Sequence, residues 1–200
     1  MLHWDRLVAL GDVALTLPAA AAITAVLMVS RAWRLAWWWA LAFVLGIGLV
    51  AASKVLYLGW GGGVPALGFK ALSGHAAGAS AVFPILLYLL LQRASPTLRW
   101  AGVAAGVGLG LLVTATLVLL CHHSRAEAIA GCLVGITASI GAIRIGGAAP
   151  ALRPLGSAVS FALVFGAGIW LMQWAPLGWW MIKAARLLSG KEQVFSIDFE

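Results

Sequence analysis

Long apolar stretches alternate with short interruptions along this chain, and that rhythm predicts its architecture. Runs at about 8–30, 36–55, 73–92, 99–121, 126–146 and 156–175 are each long enough to cross a hydrocarbon core of roughly 30 Å. The breaks read "SRAWR", "GWGGGVPALGFK", "QRASPTLR", "HHSR" and "RIGGAAPALRP", the glycine, proline and basic clusters that end helices. A soluble helical core of this size would need charged faces between the runs, and none is present. The expectation is an all-α integral membrane protein, one domain over residues 1–200, built as a bundle of about six transmembrane helices. Residues 176–200 are too short and too charged to span again. They read as an interfacial tail with Trp179 and Trp180 at headgroup level.

Composition strengthens this picture. The chain is 63% hydrophobic and 10% charged, whereas soluble domains carry about a quarter charged residues. The N-terminus lacks a basic leader region, and its apolar run continues past a typical signal core. It therefore reads as a first span, not a cleaved signal. Cys121 and Cys132 lie in apolar context and read as small buried hydrophobes, not as a disulfide.

The net charge of +7 excludes less than it suggests. Basic residues occur in ones and twos at the ends of apolar runs, which suits orientation and anionic headgroups and gives no stripe for nucleic acid. Arg31 with Arg34, Arg93 with Arg99, and Arg144 with Arg153 occupy three loops on one side, none with an acid. By the positive-inside rule that side is cytoplasmic. Lys183, Arg186 and Lys191 in the tail run against the bias. The remaining loops are expected to face the periplasm or exterior of a plasma membrane of the bacterial inner-membrane type.

Candidate chemistry collects on that outer side. Asp12, Lys54, Ser73, His75, His123, Arg125 and Glu127 all fall toward one membrane face. Any one of them alone reads as an interfacial side chain, but ionisable groups at membrane depth are costly, and their convergence favours a site. His123 and Glu127 are four apart, on one helical face, so the carboxylate can hold one ring nitrogen and leave the other nucleophilic. Ser73-Gly74-His75 opens a span, where a hydroxyl and free helix-terminal amides can receive an anion. His75 is placed to protonate a leaving group, and Lys54 and Arg125 offer cations to phosphate oxygens. These residues point to phosphoryl transfer through a covalent histidine, with no cofactor and no metal-ligand cluster.

The same residues carry a resemblance. "LSGH" (72–75) and "HSRAEAIAG" (123–131) are similar to elements of the type-2 phosphatidic acid phosphatase superfamily, whose motifs run Lys-x6-Arg-Pro, Pro-Ser-Gly-His and Ser-Arg-x5-His-x3-Asp. Leu72 stands for the proline and Glu127 for the aspartate, and Lys54 represents the first motif. The resemblance covers residues 54–131, the site-bearing core. It departs at both arginines: Trp60 and Gly61 fall around the first arginine position, and Thr116 and Leu117 stand where Ser-Arg is expected. Arg125, or Lys70 just before Ser-Gly-His, could supply the lost charge. The resemblance implies a membrane lipid phosphatase acting on a phosphate monoester or pyrophosphate of an amphiphilic lipid, without fixing which. A lipid phosphotransferase is a close relative of that reading.

Other classes compete. The missing arginines favour a non-catalytic binder or transporter of anionic lipid. A membrane cytochrome could use His75 and His123 as haem ligands, but haem gives no reason for Glu127 or for Ser73-Gly74. His122 reads as a neighbour of the nucleophile and runner-up for its role, and His3 as a headgroup-level side chain. "GWGGGV" lacks the context of a nucleotide loop and reads as a flexible lip, with Trp60 as an apolar wall. Asp12 is expected to partner Lys54 or Arg125. Glycines at four-residue spacing (Gly74 and Gly78, Gly102 and Gly106, Gly131 and Gly135) predict close helix packing.

Overall fold

The computed structural model describes residues 4–147 and 154–196, so His3 and Arg153 lie outside the described residues. Its regular structure is helical: α1 (Trp4–Ala9), α2 (Val13–Val29), α3 (Trp33–Trp60), α4 (Gly74–Leu90), α5 (Pro96–Leu119), α6 (Arg125–Gly146), α7 (Pro154–Met172) and α8 (Leu177–Ser189). A helix occupies each predicted run. Five segments are long and apolar enough to cross a membrane: Arg6–Val29, α3, α5, α6 and Leu155–Met172. The sixth, α4, has 17 residues, short of the roughly 20 that a full crossing needs.

Helix α4 is nevertheless the centre of the bundle. It packs on α5, α6, α2 and α3, and most of its residues are buried, several of them Ala, Gly or Ser. Small side chains let backbones approach closely where lipid offers no hydrophobic drive for association. A Cβ on Gly135 would fall 2.8 Å from the Ala81 nitrogen, and one on Gly106 2.5 Å from the Pro84 backbone. Gly74 differs from these, since a Cβ there would meet only ordinary contacts with Val13 and Val50.

Proline inside α4 has a visible compensation. Pro84 has no N–H to give the Ser80 carbonyl one turn earlier, and Ser139 Oγ of α6 approaches that oxygen at 3.3 Å. Ser80 Oγ in turn donates to Cys132 Sγ at 3.2 Å. On the other flank, the buried Trp39 donates its indole N–H to the Ala20 carbonyl at 3.2 Å, tying α3 to α2.

Two boundaries differ from the sequence reading. The first run breaks at residues 10–12, because the α1–α2 turn folds over the start of α4. A Cβ on Gly11 would meet the His75 carbonyl at 2.7 Å. Helix α3 continues past the predicted end to Trp60, so Lys54 sits more than one turn from its end. The tail forms α8, with Trp179 and Trp180 exposed and Lys183 Nζ 4.9 Å from the centre of the Trp179 ring. Beyond α8 the chain returns to α3, where the Phe195 amide donates to the Leu58 carbonyl at 2.9 Å.

Candidate functional site

The turn between α5 and α6 builds the site. The chain leaves α5 through a two-bond helix stop, in which Cys121 N–H donates to the Val118 carbonyl (3.2 Å) and His122 N–H to the Leu117 carbonyl (3.0 Å). This pattern puts one residue in the left-handed region, usually glycine; here it is Cys121, at φ 61°. Ser124 then caps α6. Its hydroxyl accepts from the Glu127 amide at 3.2 Å, while Glu127 Oε2 accepts from the Ser124 amide at 3.1 Å. This reciprocal cap satisfies two amides that a helix start leaves open. His122 and His123 are held between the stop and the cap.

Glu127 is the hub. It is 6% exposed, and four donors converge on its carboxylate. Oε1 accepts from the Lys70 amide at 2.7 Å and the Ala71 amide at 3.4 Å. Oε2 accepts from Ser124 and lies 3.1 Å from His123 Nδ1. A carboxylate in this position keeps the proton on Nδ1, so His123 Nε2 carries the lone pair. Glu127 also joins the loop after α3 to the start of α6. Ser53 adds a second tie, its hydroxyl accepting from the Leu72 amide at 3.0 Å.

A cavity of about 200 Å³ opens here, lined by Lys54, Lys70, His122, His123 and Glu127 together with Gly68 and Cys121. The first amides of α6, at Arg125 and Ala126, have no intrahelical acceptor, as at any helix start, and the positive end of the helix dipole lies beside the histidines. Two lysines and an oriented imidazole make a pocket suited to an oxyanion of phosphate size. Among the described residues, no group of three or more His, Cys, Asp or Glu could hold a metal ion.

Other predicted site residues lie elsewhere. Arg125 is exposed and absent from the cavity lining. Ser73 is fully buried, and its hydroxyl accepts from the Ala76 amide at 3.3 Å as the cap of α4. Its own amide donates to the Glu127 carbonyl at 3.2 Å, docking α4 on α6. Gly74 and His75 stand behind that contact and do not line the cavity. Asp12 caps α2 through the Ala14 amide at 2.8 Å, which corrects its expected pairing with Lys54 or Arg125. Trp60 is not in the lining. The "GWGGGVPALGFK" lip has a defined shape, with a 3-10 turn at Pro65–Leu67 and a bridge from Val64 to Phe69. Cys121 is exposed, against expectation, whereas Cys132 is buried, and both are free thiols. Leu117, at the resemblance's second arginine position, is fully buried in the bundle.

Sequence reasoning overlooked Ser124 and Ser53. The first had a signal, the Ser-x-x-Glu spacing of a capping box; the second had none. The chain is 40% identical over 139 residues to an uncharacterised 22.5 kDa protein in the cps region of Klebsiella pneumoniae, an alignment that spans 69% of this chain and 66% of that protein. No protein-family model matches the chain, and no solved structure matches it.

Proposed function

We propose that this protein is a membrane lipid phosphatase that hydrolyses a phosphate monoester or pyrophosphate of an amphiphilic lipid through a phosphohistidine. The observation that carries the reading is the His123–Glu127 contact of 3.1 Å on the wall of a cavity that also holds Lys54 and Lys70. The resemblance at residues 54–131 supports it.

In this scheme His123 Nε2 attacks phosphorus, and the bond from phosphorus to the lipid oxygen breaks. The leaving oxygen takes a proton from the His122 imidazolium. Water then attacks the phosphohistidine, His122 accepts a proton from that water, the P–N bond breaks, and inorganic phosphate leaves. Glu127 holds the Nδ1 proton throughout. Lys54 and Lys70 carry the charge on the phosphoryl oxygens. We assign the proton donor to His122 over His75 because His122 lines the cavity and His75 does not. An alcohol in place of water would make the same site a lipid phosphotransferase.

Rapid quench with a radiolabelled lipid phosphate tests the scheme. The parent should trap an acid-labile, base-stable phosphoenzyme, blocked by vanadate and missing in His123→Ala. A phosphoenzyme that persists in His123→Ala and disappears in His122→Ala would overturn the assignment. A second reading, a non-catalytic binder of anionic lipid, draws on the lack of any arginine among the described residues of the cavity lining. It requires vanadate or phosphate binding with no turnover on any lipid phosphate.

The site is proposed to face away from the cytoplasm, because the loops that carry Arg31 with Arg34 and Arg93 with Arg99, and no acid, lie at the opposite end of the helices. Gly62→Cys, in a Cys121→Ser/Cys132→Ser background, should react with an impermeant maleimide on intact cells. Labelling only after lysis would reverse the orientation.

A further inference from the structure

At the end of the bundle away from His123, a second and larger cavity of about 680 Å³ opens between α2, α4 and α7. Its walls are apolar, with Ile23 and Val26 from α2, Leu86 and Leu89 from α4, and Phe161 from α7. Gln92 and Arg93, just past the end of α4, stand at its rim. Its size falls within the roughly 300–1,000 Å³ typical of small-molecule sites.

Two observations identify an occupant. Ser157 lines this cavity and is 8% exposed, yet its hydroxyl has no hydrogen-bond partner. A buried hydroxyl left unsatisfied is destabilising, so a polar atom of a ligand is its natural complement. Arg93 in the lining belongs to a loop that also carries Arg99 and no acid, which makes this side of the rim complementary to an anion. An apolar slot with a cationic rim and one buried donor, in a membrane-spanning bundle, matches a lipid: chain inside, charged head outside.

We infer that the α2–α4–α7 groove binds an anionic glycerophospholipid of the leaflet opposite the His123 cavity. One acyl chain lies against Leu86, Leu89 and Phe161. The Ser157 hydroxyl donates to an ester or headgroup oxygen, and Arg93 faces the headgroup phosphate. This inference stands apart from the phosphatase reading, since none of its residues lines the histidine cavity.

The test uses the full chain in phosphatidylcholine vesicles doped with phosphatidylglycerol that carries a diazirine on the acyl chain close to the ester. Photolabel should concentrate on peptides holding residues 86–90 and 157–161, well above the exposed Leu45 and Leu49 of α3. Ala158→Trp, which fills the slot, should remove the excess labelling. Arg93→Gln should lower the preference for phosphatidylglycerol over labelled phosphatidylcholine about fivefold, the equivalent of about 1 kcal/mol per basic residue at an anionic surface. Equal labelling of the α3 face would overturn the inference, as would an unchanged preference in Arg93→Gln. Cross-linking between two copies through the groove would assign it to a protein contact and overturn it as well.

Discussion

Two turns of this molecule share a backbone and little else. At the α2–α3 turn, Arg31 adopts φ 58°, with Arg31 N–H on the Met28 carbonyl (3.0 Å) and Ala32 N–H on the Leu27 carbonyl (2.8 Å). At the α5–α6 turn, Cys121 adopts φ 61° with the same pair of bonds. After Arg31 the next helix starts at once, with Ala32 as a cap that makes no side-chain bond. After Cys121 the chain runs two residues further, His122 and His123, before Ser124 caps α6. A helix stop is generic. The inserted imidazoles and the carboxylate that anchors them turn one copy of it into a candidate site.

The strongest way to break this comparison is Glu127→Ala. It strands the Lys70 and Ala71 amides and releases the His123 ring, so it should cost about 2–4 kcal/mol of stability as well as abolishing turnover. Thermal unfolding in detergent checks the first effect, with Ser95→Ala, loss of an ordinary exposed cap on α5, as a reference near ~1 kcal/mol. Equal melting temperatures for the two variants would remove Glu127 from its role as a hub.

Lys70 sharpens the comparison next. Losing one preorganised donor to a reacting oxyanion typically costs about 10²–10³ in rate, so Lys70→Ala should lower kcat/KM by that order. Arg125→Ala, outside the cavity lining, should change it by only a few-fold. The reverse order would mean that Arg125 curls back over the start of α6.

The smallest effect tests the shared backbone itself. A non-glycine residue in the left-handed region costs roughly 1–2 kcal/mol. Cys121→Gly and Arg31→Gly should each raise the melting temperature by a similar small amount. A gain at only one position would show that the two stops are not energetically alike.

Much of this was legible in the sequence, for identifiable reasons. Apolar run length reports helices directly, so every predicted run holds one. The four-residue spacing of His123 and Glu127 pointed to their contact, although His123 lies before the Ser124 cap and not on a face of α6 as expected. The role of Ser73 was not legible, because Ser-Gly-His reads the same whether its hydroxyl meets a ligand or caps its own helix. The left-handed turn at Cys121 lacked the glycine that normally marks it. The Lys70 and Ala71 amides that hold Glu127 were invisible, since every residue but proline has an N–H. Arg125 drew attention as the nearest guanidinium in sequence, yet its place in the first turn of α6 leaves it exposed.

That anonymity of the amides has an evolutionary consequence. The brace between the lip and α6 uses main-chain N–H groups of residues 70 and 71, which persist through any substitution except proline. Lip side chains other than Lys70 can therefore change while the imidazole stays aimed. Descendants of such a chain could change which molecules they accept, one lip residue at a time, without rebuilding the chemistry beneath.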